Sequence, residues 1–260
     1  MNRKYRNTVI AGNWKMNMLP SKVKAYADEL KPLAGQVKWC DIVICAPFVM
    51  IPAVIKAFRS RRISAGAQNL SEKDHGAYTG EVSAAQLSDL GVNYVIIGHS
   101  ERRNLYGESD AVVNEKVHAA LNENLRPIIC VGESEHQREM GVTTELVSFQ
   151  VKTALYGVPA QKMRRIIIAY EAIWAIGTGK TATSEEAGEV CHTIRAVIRS
   201  LYGARTARSV SILYGGSMNA NNARELLSQP DIDGGLIGGA ALSPADFAAI
   251  VGDANQEEIV

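Results

Sequence analysis

Tyr94-Val95-Ile96-Ile97-Gly98-His99, the segment Ser109 to Asn124, and Pro127-Ile128-Ile129-Cys130-Val131-Gly132 hold the unit from which the chain is built. The first and last pieces are continuous apolar, β-branched runs that stop at glycine or a polar residue. Runs of this length read as strands buried on both faces, the habit of parallel sheets. Between them, Ser109-Asp110 offers a helix cap, and Val112, Val113, Val117, Ala120 and Leu121 recur at helical spacing.

The same strand signature recurs on either side. Upstream it appears in Thr8 to Asn13, Ile42 to Pro47 and Ile63 to Gln68; downstream in Ile166 to Glu171, Val210 to Gly215 and Gly235 to Gly238. With the opening pair this makes eight. A long helix is expected from Ser184 to Tyr202, stopping before Gly203, with shorter ones at Ser83 to Leu90, Asn219 to Ser228 and Ser243 to Val251. Eightfold β-then-α alternation, with no linker or low-complexity tract, predicts one α/β domain over residues 1–260, a closed (β/α)8 barrel. A doubly wound open sheet is the competing arrangement.

Composition narrows the classes. The chain has 260 residues, 28 Lys+Arg against 27 Asp+Glu, and a formal net charge of +1, so the clustered basic excess of a nucleic-acid footprint is not expected. With 47% hydrophobic and 21% charged residues it is neither disordered nor collagen-like. The basic start Met1 to Asn7 leads into no apolar stretch long enough for a signal peptide, and no run reaches membrane-spanning length. Cys40, Cys45, Cys130 and Cys191 form no CxxC pair and sit in apolar surroundings, as reduced core cysteines do. A cytoplasmic protein without nucleic-acid or membrane partners is expected.

In such a barrel, polar residues just past the strand ends face the active site. That rule selects Asn13-Trp14-Lys15, His99-Ser100-Glu101, Glu171, Gly215-Gly216-Ser217 and Gly238-Gly239. Each has an ordinary reading alone: Asn13 as a turn cap, Lys15 as a solvated cation, Glu171 as an ion-pair partner, the glycine pairs as tight turns. An amide, an amine, an imidazole and a carboxylate, borne by three strand ends on one rim, point instead to chemistry. Glycine-freed N–H groups backed by a helix start make an anion nest, with Ser217 adding a hydroxyl and Asn219 expected to begin the next helix. The expected ligand is a small phosphate ester. His75, His118, His136 and His192 read as structural or surface residues.

Ala11-Gly-Asn-Trp-Lys-Met-Asn17, Ile97-Gly-His-Ser-Glu-Arg-Arg103, Tyr170-Glu-Ala-Ile-Trp-Ala-Ile-Gly-Thr-Gly-Lys180, Leu213-Tyr-Gly-Gly-Ser217 and Gly234-Gly-Leu-Ile-Gly-Gly-Ala240 together resemble the triosephosphate isomerase family, in order and over nearly the whole chain. The resemblance implies the (β/α)8 TIM barrel and aldose–ketose isomerisation of triose phosphates through an enediol(ate), in glycolysis and gluconeogenesis. It implies no cofactor and no metal. Glu171 would be the base, His99 a neutral proton shuttle, Lys15 the fixed positive charge and Asn13 an oxyanion donor. Asn13, Lys15, Gly177, Ser217, Gly238 and Gly239 would bind substrate and its phosphate. Glu101 would orient the network, and Ser100 would lie beside the resting base.

The segment 172–182 resembles the family's mobile lid, with Ala172, Ile173 and Trp174 at its hinge, and Ile176 with Leu236 resembles the apolar clamp over Glu171. One residue departs from the pattern: Ala172 stands where the family usually has proline, which would fix a dihedral beside the base. Residues 68–83 resemble the intersubunit loop, in which the position of Thr79 reaches a neighbour's active site, so a homodimer is expected.

Other functions fit less well. Gly177-Thr-Gly-Lys-Thr181 suggests a P-loop, but Trp174 holds the position where the first glycine is required. Its GxGxxA reading through Ala182 has no strand abutting it. A non-catalytic phosphate-binding barrel would have no use for Glu171 and His99. An isomerase of a related sugar phosphate remains within the same chemistry.

Overall fold

The computed structural model describes residues 5–59, 62–175 and 181–255. Eight strands form a closed parallel barrel in chain order: β1 (Val9–Asn13), β2 (Asp41–Ala46), β3 (Ile63–Ala67), β4 (Tyr94–Ile97), β5 (Arg126–Val131), β6 (Ile167–Tyr170), β7 (Ser211–Tyr214) and β8 (Gly234–Ile237). Every strand lies within two residues of its expected run. The closure of β8 onto β1, with Val9 opposite Gly234, excludes the open sheet. That closure needs glycine, because a Cβ on Gly234 would sit 1.9 Å from the Val9 carbonyl oxygen.

The helices are α1 (Val23–Ala34), α2 (Ile51–Phe58), α3 (Ala84–Asp89), α4 (Ser100–Tyr106), α5 (Asp110–Asn122), α6 (Glu135–Glu139), α7 (Thr143–Ala154), α8 (Ser184–Ala207), α9 (Ala223–Ser228) and α10 (Pro244–Asp253). Ser83, Ser109, Thr183 and Ser243 each cap their helix by accepting a backbone N–H. Two expectations are corrected. Helical backbone resumes after Gly203, which interrupts α8 as a single kinked residue at φ 82°. Asn219 does not begin α9: the Asn222 side chain accepts the Asn219 N–H at 2.8 Å, and this local turn delays the helix to Ala223.

The pleat sorts the strand residues into two cores. Val9, Ala11, Val43, Cys45, Ile96, Ile128, Cys130, Ala169 and Leu213 fill the barrel interior, while Ile10, Ile42, Ile44, Val95, Ile97, Ile129 and Ile168 pack outward against the helices. All four cysteines are free and buried, and burial pushes the Cys40 and Cys45 thiols up to about 12. Among the described residues no helix is long and apolar enough to cross a membrane.

A buried ionic knot braces the end of β4. Glu108 accepts from the Gly98 N–H at 3.0 Å, Arg102 Nε at 2.8 Å and Lys116 Nζ at 2.6 Å, and Lys116 also donates to Asn69 Oδ1 at 2.8 Å. Burial works to raise the Glu108 carboxyl, but the Lys116 and Arg102 bonds outweigh it and hold the group below its ordinary 4.5. Such a carboxylate stabilises the fold fully above the unfolded-state value, and the contribution is lost as pH falls through the lower folded-state value. Glu108→Gln, which leaves Lys116 buried without its counter-charge, should destabilise by about 3 kcal/mol at neutral pH. The deficit should shrink on acidification, as denaturant titrations at neutral and acid pH would show.

Candidate active site

The carboxyl ends of β1, β4, β7 and β8 surround a cavity of about 380 Å³, whose lining includes Asn13, Lys15, His99, Ser217, Gly238 and Gly239. Asn13 closes β1, and its side-chain oxygen accepts the Lys15 N–H at 3.0 Å. That bond turns the chain so sharply that Lys15 has φ 51°, a conformation costing a side-chain-bearing residue about 1–3 kcal/mol. Gln68, just past β3, helps hold the turn by donating to the carbonyls of Lys15 and Cys45 at 3.1 and 3.0 Å. The strain sets Lys15 at the cavity, where its ammonium meets Glu101 Oε1 at 2.6 Å. The Glu101 carboxylate thus sits between Lys15 and the His99 ring, whose Nδ1 lies 3.6 Å from Oε2.

His99 caps α4 with its own ring. The Glu101 backbone N–H donates to His99 Nδ1 at 3.2 Å, so this nitrogen carries the lone pair. A neutral ring then has its hydrogen on Nε2, which lies 3.0 Å from Glu171 Oε1. Helix capping and the choice of tautomer are therefore one interaction.

Glu171 follows β6 and is 1% exposed. It is absent from the cavity wall, because Ser100 holds it back: the Ser100 N–H donates to Oε2 at 2.8 Å and its hydroxyl to Oε1 at 2.9 Å. Beneath it lies Cys130, whose thiol is pushed well above its ordinary 9.0 by burial first and the Glu171 charge next. Gly132, just past β5, passes so close that a Cβ there would lie 1.9 Å from the Glu171 carbonyl oxygen.

The glycine-rich end of the cavity is built from backbone. Gly238 precedes a 3-10 turn at Gly239–Leu242, so the first N–H groups of that turn have no partner within it. A Cβ on Gly239 would meet nothing within 4 Å, and one on Gly238 would face Lys15 Cε at 3.6 Å. The Ser217 hydroxyl, expected at the phosphate, donates instead to the Ala175 carbonyl at 2.8 Å. Leu236 is buried in the barrel interior and lines the same cavity.

Ala172 is buried, and its carbonyl accepts the Ala175 N–H at 2.8 Å across the turn Ile173–Ala175. Trp174 is anchored there by donating its indole N–H to Glu133 Oε1 at 2.9 Å, with the Arg138 guanidinium 4.4 Å from its ring. Ile176, Gly177 and the rest of 176–180 lie outside the described residues. Thr79 is exposed, in a turn of its loop. A second hollow of about 250 Å³ adjoins Lys15, His99 and Glu101 and is lined also by Met16, Phe48 and Tyr106.

Three positioning residues escaped the sequence reading: Gln68, Gly132 and Glu133. Each directly follows a strand or its next residue, so the strand-end rule that selected His99 would have found them. Among the described residues no group of three or more His, Cys, Asp or Glu side chains is arranged to hold a metal ion.

The family model for triosephosphate isomerase matches residues 8–254. The chain is 53% identical to triosephosphate isomerase of Acetivibrio thermocellus over 94% of its length and 97% of that protein. It is 50% identical to the enzyme of a Thermoanaerobacter species, covering 95% of the chain and 99% of the relative. For the Clostridium novyi protein of the same name the figures are 48%, 95% and 98%.

Proposed function

Because the chain belongs to the triosephosphate isomerase family and interconverts dihydroxyacetone phosphate and D-glyceraldehyde 3-phosphate, we propose that Glu171 and His99 are its proton-transferring pair. The observation that carries this is the contact of His99 Nε2 with Glu171 Oε1 at 3.0 Å, at the edge of a cavity that also holds Asn13 and Lys15.

Glu171 leaves its Ser100 bonds and removes a proton from the carbon beside the substrate carbonyl. The C–H electrons form the enediolate double bond, and the carbonyl electrons move to oxygen. His99 Nε2–H donates to that oxygen, and the ring then shuttles a proton between the two oxygens. A neutral imidazole in this role is the established pattern of this enzyme, and it suits an enediolate of similar acidity. Glu171 returns its proton to the neighbouring carbon. The Lys15 ammonium and Asn13 amide stabilise the developing oxyanion. The phosphate rests on the N–H groups around Gly238 and Gly239, with Ser217 and Gly177 joining once the lid 172–182 closes and Ser217 releases Ala175. Ile176 and Leu236 then desolvate Glu171, and exclusion of water keeps the enediolate from eliminating phosphate.

Proton NMR of the enzyme with D-glyceraldehyde 3-phosphate in D₂O tests the assignment. Dihydroxyacetone phosphate carrying deuterium at the transferred carbon is the expected product. Product formed as readily by Glu171→Gln would remove Glu171 from the role.

Ala172 bears on speed. Proline there would restrict the chain beside the base, an ordering effect worth on the order of 0.4–1 kcal/mol. Ala172→Pro should therefore raise kcat about two- to fivefold with KM nearly unchanged. Steady-state kinetics decides it, and an unaltered kcat would show that the lid swings Glu171 without help from that dihedral.

The working unit we propose is a cytoplasmic homodimer, with Thr79 of one subunit seated beside Lys15 of the other. Met16 and Tyr106, which border the second hollow, are 95% and 70% exposed, and Leu105 and Val49 are similarly uncovered. Apolar exposure on the rim of a catalytic cavity is the mark of a covered face. Light scattering should give twice the 28.1 kDa chain mass, and Thr79→Arg should shift the mass towards a single chain and lower turnover.

A further inference from the structure

At the end of the barrel opposite the catalytic mouth, a cavity of about 440 Å³ opens among the strand starts, within the size range of small-molecule sites. Its lining includes Arg126 at the start of β5, Arg164 and Arg165 ahead of β6, Ser209 and Ser211 at the start of β7, and Asn7 ahead of β1. Three guanidinium groups thus face one space. Among the described residues a single carboxylate answers them: Asp41 accepts from Arg126 at 2.9 Å, and it is shared with the Asn7 amide and the Tyr94 hydroxyl. Arg165 donates one Nη2 hydrogen to the Asn124 carbonyl, but its buried Nε–H has no acceptor. Among the described residues neither Arg164 nor Arg165 has a carboxylate partner.

A buried, unsatisfied donor on a charged group is costly, and like charges around one cavity add to the cost. Planar guanidinium forks match phosphate oxygens in pairs, and nearby hydroxyls and amides complete such a shell. We propose that this cavity binds a small phosphate-bearing anion of the diphosphate or phosphate-ester class, at a site separate from the catalytic mouth. The ligand supplies the negative charge that Arg164 and Arg165 lack, and a turn of the Arg165 guanidinium would present to it the Nε–H that is now buried without an acceptor. Binding to the native chain alone also stabilises the fold by mass action.

The test follows arginine Nε–H signals in ¹⁵N-edited spectra while inorganic pyrophosphate is added to the full-length enzyme. The Arg164 and Arg165 signals should shift saturably, and the melting temperature should rise with concentration. Arg164→Gln, at an exposed position remote from the catalytic cavity, should weaken the midpoint about tenfold. Its isomerase kcat and KM should match the parent enzyme. Signals of Arg126, Arg164 and Arg165 that stay fixed at millimolar pyrophosphate would overturn the proposal, as would an unchanged midpoint in Arg164→Gln. Turnover is read separately, so failure here leaves the catalytic assignment standing.

Discussion

Glu171→Gln should lower kcat about 10²- to 10⁴-fold, the range that general-base catalysis contributes. The substitution is close to isosteric, so the carboxamide oxygen can still accept from Ser100, whose N–H and hydroxyl bond the carboxylate at 2.8 and 2.9 Å. What disappears is the negative charge that makes the carboxylate oxygen basic enough to remove the proton. KM should change little, because Glu171 is no part of the cavity wall that receives the substrate. Deuterium exchange at the transferred carbon should fall together with turnover. A loss of turnover with exchange intact would place Glu171 after the first proton transfer, and a large rise in KM alone would make it a binding residue.

Gly132→Ala should cost on the order of 10²-fold in kcat without touching any catalytic side chain. The new methyl would lie 1.9 Å from the Glu171 carbonyl oxygen and 2.8 Å from its carbonyl carbon. Both atoms belong to the backbone, so no rotamer relieves the overlap; strand β5 or the base itself must move. Displacing a reacting group by about 1 Å is enough for a loss of that order. The Glu171 N–H bond to the Val131 carbonyl, 2.8 Å long, would stretch with it. The variant should also be less stable, so kcat is to be measured well below its melting temperature. Full activity in a folded Gly132→Ala protein would mean that the Glu171 backbone is free to shift, contrary to its packing.

The strands and the functional rim were legible for different reasons. Continuous apolar runs such as Ile128-Ile129-Cys130 are forced by burial on both faces, so their pattern survives in one dimension. Several helices were less visible. Helix α1 buries Val23, Tyr26, Ala27, Leu30 and Ala34 at helical spacing, but Pro32 in its last turn speaks against it locally. Helices α4 and α6 are too short and polar to show a periodic face. Asn219 failed as a helix start because the local bond from its N–H to Asn222 competes with the helix, a choice that propensity does not rank.

By itself the sequence determined the eightfold strand–helix alternation, the rim to which Asn13, Lys15, His99, Glu171 and the glycine pairs belong, and their family motifs. These follow from strand periodicity and from the rule that strand ends face one way. Tertiary structure alone decided that Glu171 lies outside the cavity wall, that a backbone N–H places the His99 hydrogen on Nε2, and that Gly132 leaves room for the Glu171 carbonyl. It likewise gathered Arg126, Arg164 and Arg165 around one basal cavity. Apart from the His99 bond, which joins residues two apart and depends on the backbone angles at the start of α4, each of these is a contact between residues far apart in the chain or a close matter of packing, and spacing along a sequence carries no record of either.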